Sequence, residues 1–280
     1  MYKALSLQGI GHPVPLKESA PVAAKYGFKG IWLDPLDMSI PASETRKNLE
    51  ENGLVAAGFN LPVQFRADEE TFRQGMEKLD AAAKYAAECG TNRCMTWIVS
   101  GHDELTYEEN FELHRSRLTE ACKVLEKYGI VLGLEYCGPI SARKDKKYEF
   151  VHDLDGILSL AAAINASGVS NAIILLDAWH WEFSHQVHED SKKVGTAANV
   201  VAAHINDAPA GIPEEEQIDV KRALPGTTGV LNIGEFFSIL KELDYDGPVL
   251  AEPFDRTLHE MRLEDAVKRT SETIDSVWPK

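Results

Sequence analysis

Short apolar runs recur along the chain, separated by longer segments with a different hydrophobic period. Several runs are apolar almost throughout, which is typical of parallel strands buried on both faces. The pattern predicts eight strands, at Ala4–Gln8, Gly30–Leu33, Leu54–Phe59, Cys94–Val99, Ile130–Glu135, Ala172–Asp177, Val200–Ile205 and Val249–Glu252.

The segments between these runs place apolar residues three and four positions apart, as amphipathic helices do. The spacing predicts helices at Lys17–Tyr26, Glu69–Cys89, Tyr107–Tyr128, Leu154–Ile164, Ile233–Leu243 and Leu263–Val277. It is least regular in Glu182–Thr196. No linker interrupts the alternation, and 280 residues is an ordinary length for an α/β barrel. We therefore predict fold class α/β, with residues 1–280 forming one (β/α)8 TIM barrel domain.

Charge and composition narrow the possible partners. The chain has 29 Lys and Arg against 44 Asp and Glu, a formal charge of −15, which would repel a nucleic-acid backbone. No apolar stretch approaches the length of about 18 residues that a membrane span needs, and the N-terminus is too polar for a signal peptide. The four cysteines form no C-x-x-C pair. We expect a cytoplasmic protein that binds neither nucleic acid nor membrane and assembles as a homo-oligomer.

Polar side chains end four consecutive strands, where a barrel of this kind carries its active site. They are Glu135, Asp177, His204 and Glu252. Taken singly, each has an ordinary explanation, such as a surface ion pair or a core histidine. Burying three carboxylates together is costly unless a cation neutralises them. The set therefore predicts one divalent metal ion, Mn²⁺ before Co²⁺, Mg²⁺ or Zn²⁺, because oxygen and imidazole ligands suit these ions.

At these residues the chain resembles the xylose-isomerase-like superfamily of sugar-phosphate isomerases and epimerases, in the branch of keto-sugar 3-epimerases and inosose isomerases. The resemblance follows the strand order and is most specific in LGLEYCGP, LLDAWHW, HINDAP and AEPF. It implies that the four residues above bind the metal and that Glu135 and Glu252 transfer protons. It also implies that His180, and Arg222 in the R-x-x-P-G segment, contact the substrate.

The chain departs from the keto-sugar 3-epimerases at two positions. Ser141 stands six residues past the first metal-ligating glutamate, where those enzymes carry another Glu. Ala210 stands six residues past the metal-ligating histidine, where they carry Arg. Both departures concern the substrate and leave the metal ligands complete.

The residues themselves suggest a mechanism. A metal ion that binds the carbonyl and the neighbouring hydroxyl of a ketose acidifies the carbon-bound proton between them. Glu135 and Glu252 could remove that proton and return one to the opposite face, through a metal-stabilised cis-enediolate. The sequence thus predicts a metal-dependent isomerase or epimerase of a sugar, sugar phosphate or inosose. Trp179 could form an apolar wall for the sugar ring, and His102 could rim the pocket.

Three alternatives stay open at this point. A dehydratase or lyase on a keto-inositol or 3-keto-glycoside would share the metal and need an acid, His180 or His102. An abasic-site endonuclease-like hydrolase would need more histidine ligands, but the third strand lacks one and Asp219–Lys221 replaces an Asp-x-His pair. A metal-free binding barrel would not need all four ligand positions filled.

Overall fold

The computed structural model describes residues 1–280 and confirms the predicted barrel. Eight parallel strands close into a ring in which each strand pairs with its neighbours in the chain and β1 pairs with β8. The strands are β1 Tyr2–Leu5, β2 Gly30–Leu33, β3 Val55–Asn60, β4 Arg93–Ile98, β5 Val131–Tyr136, β6 Ala172–Asp177, β7 Val200–Ile205 and β8 Pro248–Ala251. Each predicted run overlaps one observed strand, with ends that differ by up to three residues.

Helices surround the barrel, and none combines the length and apolar character needed to cross a bilayer. Helix α2 was not among the predicted segments, because only Ala42, Thr45 and Leu49 of its ten residues are buried. The irregular segment after β6 contains two short helices. The helices are α1 Leu16–Lys25, α2 Ala42–Glu51, α3 Glu69–Cys89, α4 Tyr107–Glu126, α5 Leu154–Ala166, α6 Ala178–Phe183, α7 Ser191–Val194, α8 Ile233–Glu242, α9 Arg256–His259 and α10 Leu263–Val277.

Two apolar cores stabilise the fold. The larger lies between strands and helices. The smaller fills the barrel interior and includes Trp32, Met95, Leu175 and Val201. Because the interior is packed, the open space for a site lies above it, at the carboxyl ends of the strands.

A long loop joins β7 to α8, and the carboxylate of Asp207 organises it. Asp207 is fully buried, and its backbone pairs with that of Ala223 across the loop. Burial alone would raise the pKa of Asp207, but the hydrogen bonds it accepts lower it. Its carboxylate accepts backbone N–H groups from Ala208, Thr228, Gly229, Val230 and Leu231.

Replacing Asp207 by asparagine should loosen this loop. The new carboxamide N–H would face backbone N–H donors, so we expect a loss of about 2 to 3 kcal/mol of unfolding free energy. Hydrogen exchange of the Thr228–Leu231 amides should accelerate at least about tenfold. Asp145→Asn, at an exposed residue whose side chain forms no hydrogen bond, is the matched control. Equal exchange in wild type and Asp207→Asn would contradict this role.

His114 on α4 should make stability depend on pH. Its Nδ1 lies 2.8 Å from the Asn110 carbonyl oxygen, and its buried Nε2 has no hydrogen-bond partner. Burial lowers the pKa of His114 to about 4, against about 6.5 in the unfolded chain. The unfolded state therefore binds the proton more tightly, and stability present above pH 6.5 is lost as the pH falls towards 4.

We expect wild type to lose about 3 kcal/mol more than His114→Gln between pH 7 and pH 4. Urea unfolding at several pH values measures this difference. If the unfolding free energies of wild type and His114→Gln changed equally with pH, His114 would not be the source of the pH dependence.

Candidate metal and substrate site

Four side chains meet at the carboxyl ends of β5 to β8. His204 Nδ1 lies 3.2 Å from Glu135 Oε1, 3.3 Å from Glu252 Oε2 and 3.9 Å from Asp177 Oδ2. One ligand-capable atom from each of the four lies within 4.8 Å of the others. We call this group the four-residue cluster. The structure thus brings together the side chains that the sequence predicted to meet.

The strand register explains the convergence. Neighbouring residues of adjacent parallel strands point to the same face of a sheet, and Asp177 pairs with His204 across β6 and β7. Asp177 also begins α6, where its Oδ1 accepts the N–H of Trp179 at 2.7 Å. Asn206 donates to the same oxygen at 3.2 Å. These bonds orient the Asp177 carboxylate into the barrel mouth.

The chemistry of the cluster fits a divalent ion. Glu135 Oε1 and His204 Nδ1 are buried, and neither has a hydrogen-bond partner with good geometry. Unpartnered buried polar atoms are rare and call for an explanation, of which an ion is one. Three carboxylates and one imidazole are ligands for Mn²⁺, Co²⁺, Mg²⁺ or Zn²⁺. The four residues could therefore hold one such ion.

The electrostatics of the cluster are those of a site that requires positive charge. Burial raises the pKa of Glu135. Burial alone would lower the pKa of His204, but the carboxylates of Glu252 and Glu135 raise it well above its usual range. For Asp177, burial is outweighed by the positive charge of Arg222 and the two nearby histidines, which lower its pKa to about 2. The raised pKa of His204 favours its protonated form, which offsets part of the negative charge of the carboxylates.

Arg222 supplies further positive charge from the β7–α8 loop. Its Nη1 donates to Asp177 Oδ2 at 2.8 Å and to Glu252 Oε2 at 3.1 Å. The guanidinium carbon lies 5.3 Å from the ring centre of Trp179 and 5.1 Å from that of Phe254. The predicted substrate contact therefore also pairs with two members of the four-residue cluster.

His180 lies beside Arg222 and is buried. Its Nδ1 accepts the backbone N–H of Gly138 at 3.1 Å, and its Nε2 lies 3.1 Å from Arg222 Nη2. With Cys137 and Asp219 it forms a second group of ligand-capable atoms. Arg222 Nη2 donates to Asp219 within that group, so a guanidinium provides its positive charge.

The other two predicted substrate contacts lie further from the cluster. The Trp179 side chain is fully buried under Arg222, and its Nε1 has no hydrogen-bond partner. His102 is half-buried in a two-stranded sheet formed by Gly101–His102 and Tyr148–Glu149. Its Nδ1 accepts two backbone N–H groups of its own loop, and no hydrogen bond joins it to the cluster.

Arg66, which lies in the mouth beside Trp97, was not predicted as a site residue. Trp97 pairs with Glu135 across β4 and β5, so it points to the same inner face, and 44% of it is exposed. The Arg66 guanidinium lies 5.1 Å from the Trp97 ring centre, and its Nη1 donates to the Trp97 carbonyl oxygen at 2.6 Å. This pair forms an aromatic and cationic wall next to Glu135. A lone arginine in a loop has no period or motif that would mark it.

The two positions that depart from the 3-epimerase pattern have structural explanations. Ser141 donates to the Gln217 carbonyl oxygen, and Gln217 donates to the carbonyls of Pro209 and Ile212 at 3.1 Å each. Ala210 is exposed in the same loop. Ser141 thus joins its loop to the β7–α8 loop, and neither Ser141 nor Ala210 carries a charged group to the mouth.

Comparisons with known proteins agree with this architecture. The xylose isomerase-like TIM barrel family model matches residues 21–277. An inosose isomerase of Bacillus velezensis is 22% identical over 276 residues, covering 95% of this chain and 92% of that protein.

Solved structures show the same fold at low identity. A xylose isomerase domain protein from Alicyclobacillus acidocaldarius has a TM-score of 0.83 and 24% identity, covering 99% of this chain and 98% of that one. The IOLI protein, solved with a bound zinc atom, has a TM-score of 0.81 and 18% identity with the same coverage. A 3-keto-D-glucoside 4-epimerase of E. coli has a TM-score of 0.74 and 16% identity, covering 99% of both chains. Because the family model spans almost the whole barrel, the chain belongs to the xylose isomerase-like TIM barrel family.

Proposed function

We propose that this protein is a metal-dependent isomerase or epimerase of a keto-polyol, such as an inosose or a keto-sugar. The observation that carries the proposal is the convergence of three carboxylates on His204 Nδ1, with contacts of 3.2 to 3.9 Å from four adjacent strands. The names of its relatives, inosose isomerase and 3-keto-glucoside 4-epimerase, support this reaction class.

The four-residue cluster would hold the metal, with Mn²⁺ as our first choice and Co²⁺, Mg²⁺ and Zn²⁺ as alternatives. Bound there, the ion would act as a Lewis acid on the carbonyl and the neighbouring hydroxyl of the substrate. The zinc atom in the IOLI structure supports a metal in this fold. Cytoplasmic localisation and a homo-oligomeric assembly stay predictions.

The chain's own residues would then move the proton. Glu135 lies in β5 and Glu252 follows β8, on either side of β6 and β7. Both carboxylates contact His204 Nδ1, so a polyol bound above the four-residue cluster would have both within reach. One glutamate, as the ionised carboxylate, accepts the proton from the carbon next to the carbonyl, and the other, as the neutral carboxylic acid, donates its proton to the opposite face of that carbon. The two exchange roles in the reverse direction. Arg222 steadies Glu252 through its 3.1 Å bond.

Two observations favour this reaction over its alternatives. A lyase needs an acid at the leaving group. Because His180 Nδ1 accepts the N–H of Gly138, only Nε2 could donate a proton, and Nε2 is enclosed by Arg222 Nη2 at 3.1 Å and Asp219 Oδ1 at 3.6 Å. A hydrolase with several metal ions needs further cation sites, yet Arg222 already contributes the positive charge beside Asp219. The formal charge of −15 also favours a small-molecule carbohydrate over nucleic acid.

Metal analysis tests the cofactor. Protein stripped with chelator should take up one Mn²⁺ per chain, measured by elemental analysis and titration calorimetry. Asp177→Asn and His204→Gln should each weaken binding by about 100-fold or more, because changes outside the ligand set already cost about 10- to 100-fold. Glu215→Gln, at an exposed acid outside the cluster, is the control. Wild type that takes up no ion would contradict the assignment.

Solvent isotope exchange tests the reaction. In D₂O, inososes or 3-keto-glucosides incubated with Mn²⁺-loaded protein should yield an epimer or isomer with deuterium on the carbon next to the carbonyl. Glu135→Gln and Glu252→Gln should lower kcat by roughly a thousandfold, within the usual range for a positioned acid or base. Their metal content is measured in parallel, to separate proton transfer from ion loss. A dehydrated product would favour the lyase instead.

A further inference from the structure

A cavity of about 430 Å³ opens beside the mouth and is not used by the mechanism above. It lies at the carboxyl ends of β1 and β2, between the β1–α1 loop and helix α2. Val14, Ile31, Trp32 and Ile40 give it apolar walls. We call it the lateral cavity. Its volume and apolar lining are those of a small-molecule site.

The polar groups of the lateral cavity select against negative charge. Asp34, Asp37 and Glu44 line it, against one cation, Lys17. The buried Oδ1 of Asn48, also in the lining, has no hydrogen-bond donor. A phosphate would meet repulsion here, whereas a hydroxyl would offer the donor that Asn48 Oδ1 lacks and could also donate to the carboxylates.

The lateral cavity begins next to the four-residue cluster. Ala4 of β1 pairs with Leu250 of β8. Ser6 and Glu252 each follow the last residue of these adjacent strands, so both lie at the same end of the barrel. Ser6 lines the cavity, and neighbouring strands lie about 5 Å apart. A group attached to a polyol at the cluster can therefore extend over Ser6 into the cavity.

We propose that the lateral cavity binds an uncharged, partly apolar ring attached to the reacting polyol, so that the substrate class is a glycoside. This inference rests on the proposed function and narrows it, because it disfavours free sugars and sugar phosphates. The reactive keto-polyol ring occupies the mouth above Glu135 and Glu252, and the aglycone occupies the lateral cavity. The aglycone's hydroxyl donates to the lining carboxylates or to Asn48.

Calorimetry on the metal-loaded full chain tests the proposal with stable glucosides. Phenyl β-D-glucoside should bind about tenfold more tightly than methyl β-D-glucoside, since the phenyl ring buries apolar surface. Val14→Trp, which fills the cavity, should remove that preference and leave methyl glucoside binding unchanged. Val55→Trp is the matched control, because Val55 is exposed at the amino end of β3, on the opposite face of the barrel. Glucose 6-phosphate should bind more weakly than either glucoside.

A second variant tests the proposal in case Val14→Trp does not fold. Asn48→Leu should lower the affinity for 4-hydroxyphenyl β-D-glucoside and leave that for phenyl β-D-glucoside unchanged. Equal affinities of wild type for the phenyl and methyl glucosides, or an unchanged phenyl preference in a folded Val14→Trp, would overturn the inference. These measurements need no turnover, so they remain readable if the isomerase assay fails. Turnover of free keto-sugars without a phenyl preference would overturn the cavity assignment alone.

Discussion

Three carboxylates, those of Glu135, Asp177 and Glu252, converge on one point above the packed interior of the barrel, and their mutual repulsion must be balanced. Buried like charges are tolerated only when opposite charge and hydrogen bonds compensate them. His204 and Arg222 provide part of that compensation within the protein. A bound divalent ion, as proposed, would balance the negative charge that remains. The same imbalance thus accounts for the raised pKa of His204 and for the proposed Lewis acid.

This balance ties the site to the loop that follows β7. Arg222 comes from that loop, and its guanidinium reaches the cluster between the rings of Trp179 and Phe254. The loop keeps its path because Asp207, three residues past His204, binds the backbone N–H groups of its far end. The end of β7 therefore supplies His204 to the cluster. Asp207, just past it, holds the loop that positions Arg222 beside the cluster. Changes in the loop should reach the cluster through Arg222 even where they touch no cluster residue.

The sequence predicted the barrel and the cluster because both depend on local period and strand order. Fully apolar runs identify strands buried on both faces, and their last residues share one end of a parallel barrel. Contacts between distant segments left no such signal. At Gly133 of β5, for example, a Cβ would lie 1.9 Å from Val201 Cγ1, so the Val201 side chain of β7 reaches across the interior to this position. The packing of a side chain across the barrel interior depends on residues of distant strands. The position of Arg222 depends in the same way on the path of a long loop. Neither is visible in the local sequence pattern.

The barrel mouth divides into two halves with different tasks. Strands β5 to β8 carry the four-residue cluster. In the proposed reaction this cluster transfers a proton next to a carbonyl, a step that is common to all keto-polyols and does not distinguish one from another. The choice of substrate would then depend on the half formed by β1 to β4. There Trp97 exposes its ring beside Glu135, and Ser6 lines the lateral cavity. Arg222 bonds directly to the cluster and His180 contacts Arg222, so replacing either residue would disturb the charge balance of the cluster. The β1 to β4 half carries no such constraint, and changes there can alter the substrate while the proton chemistry is kept.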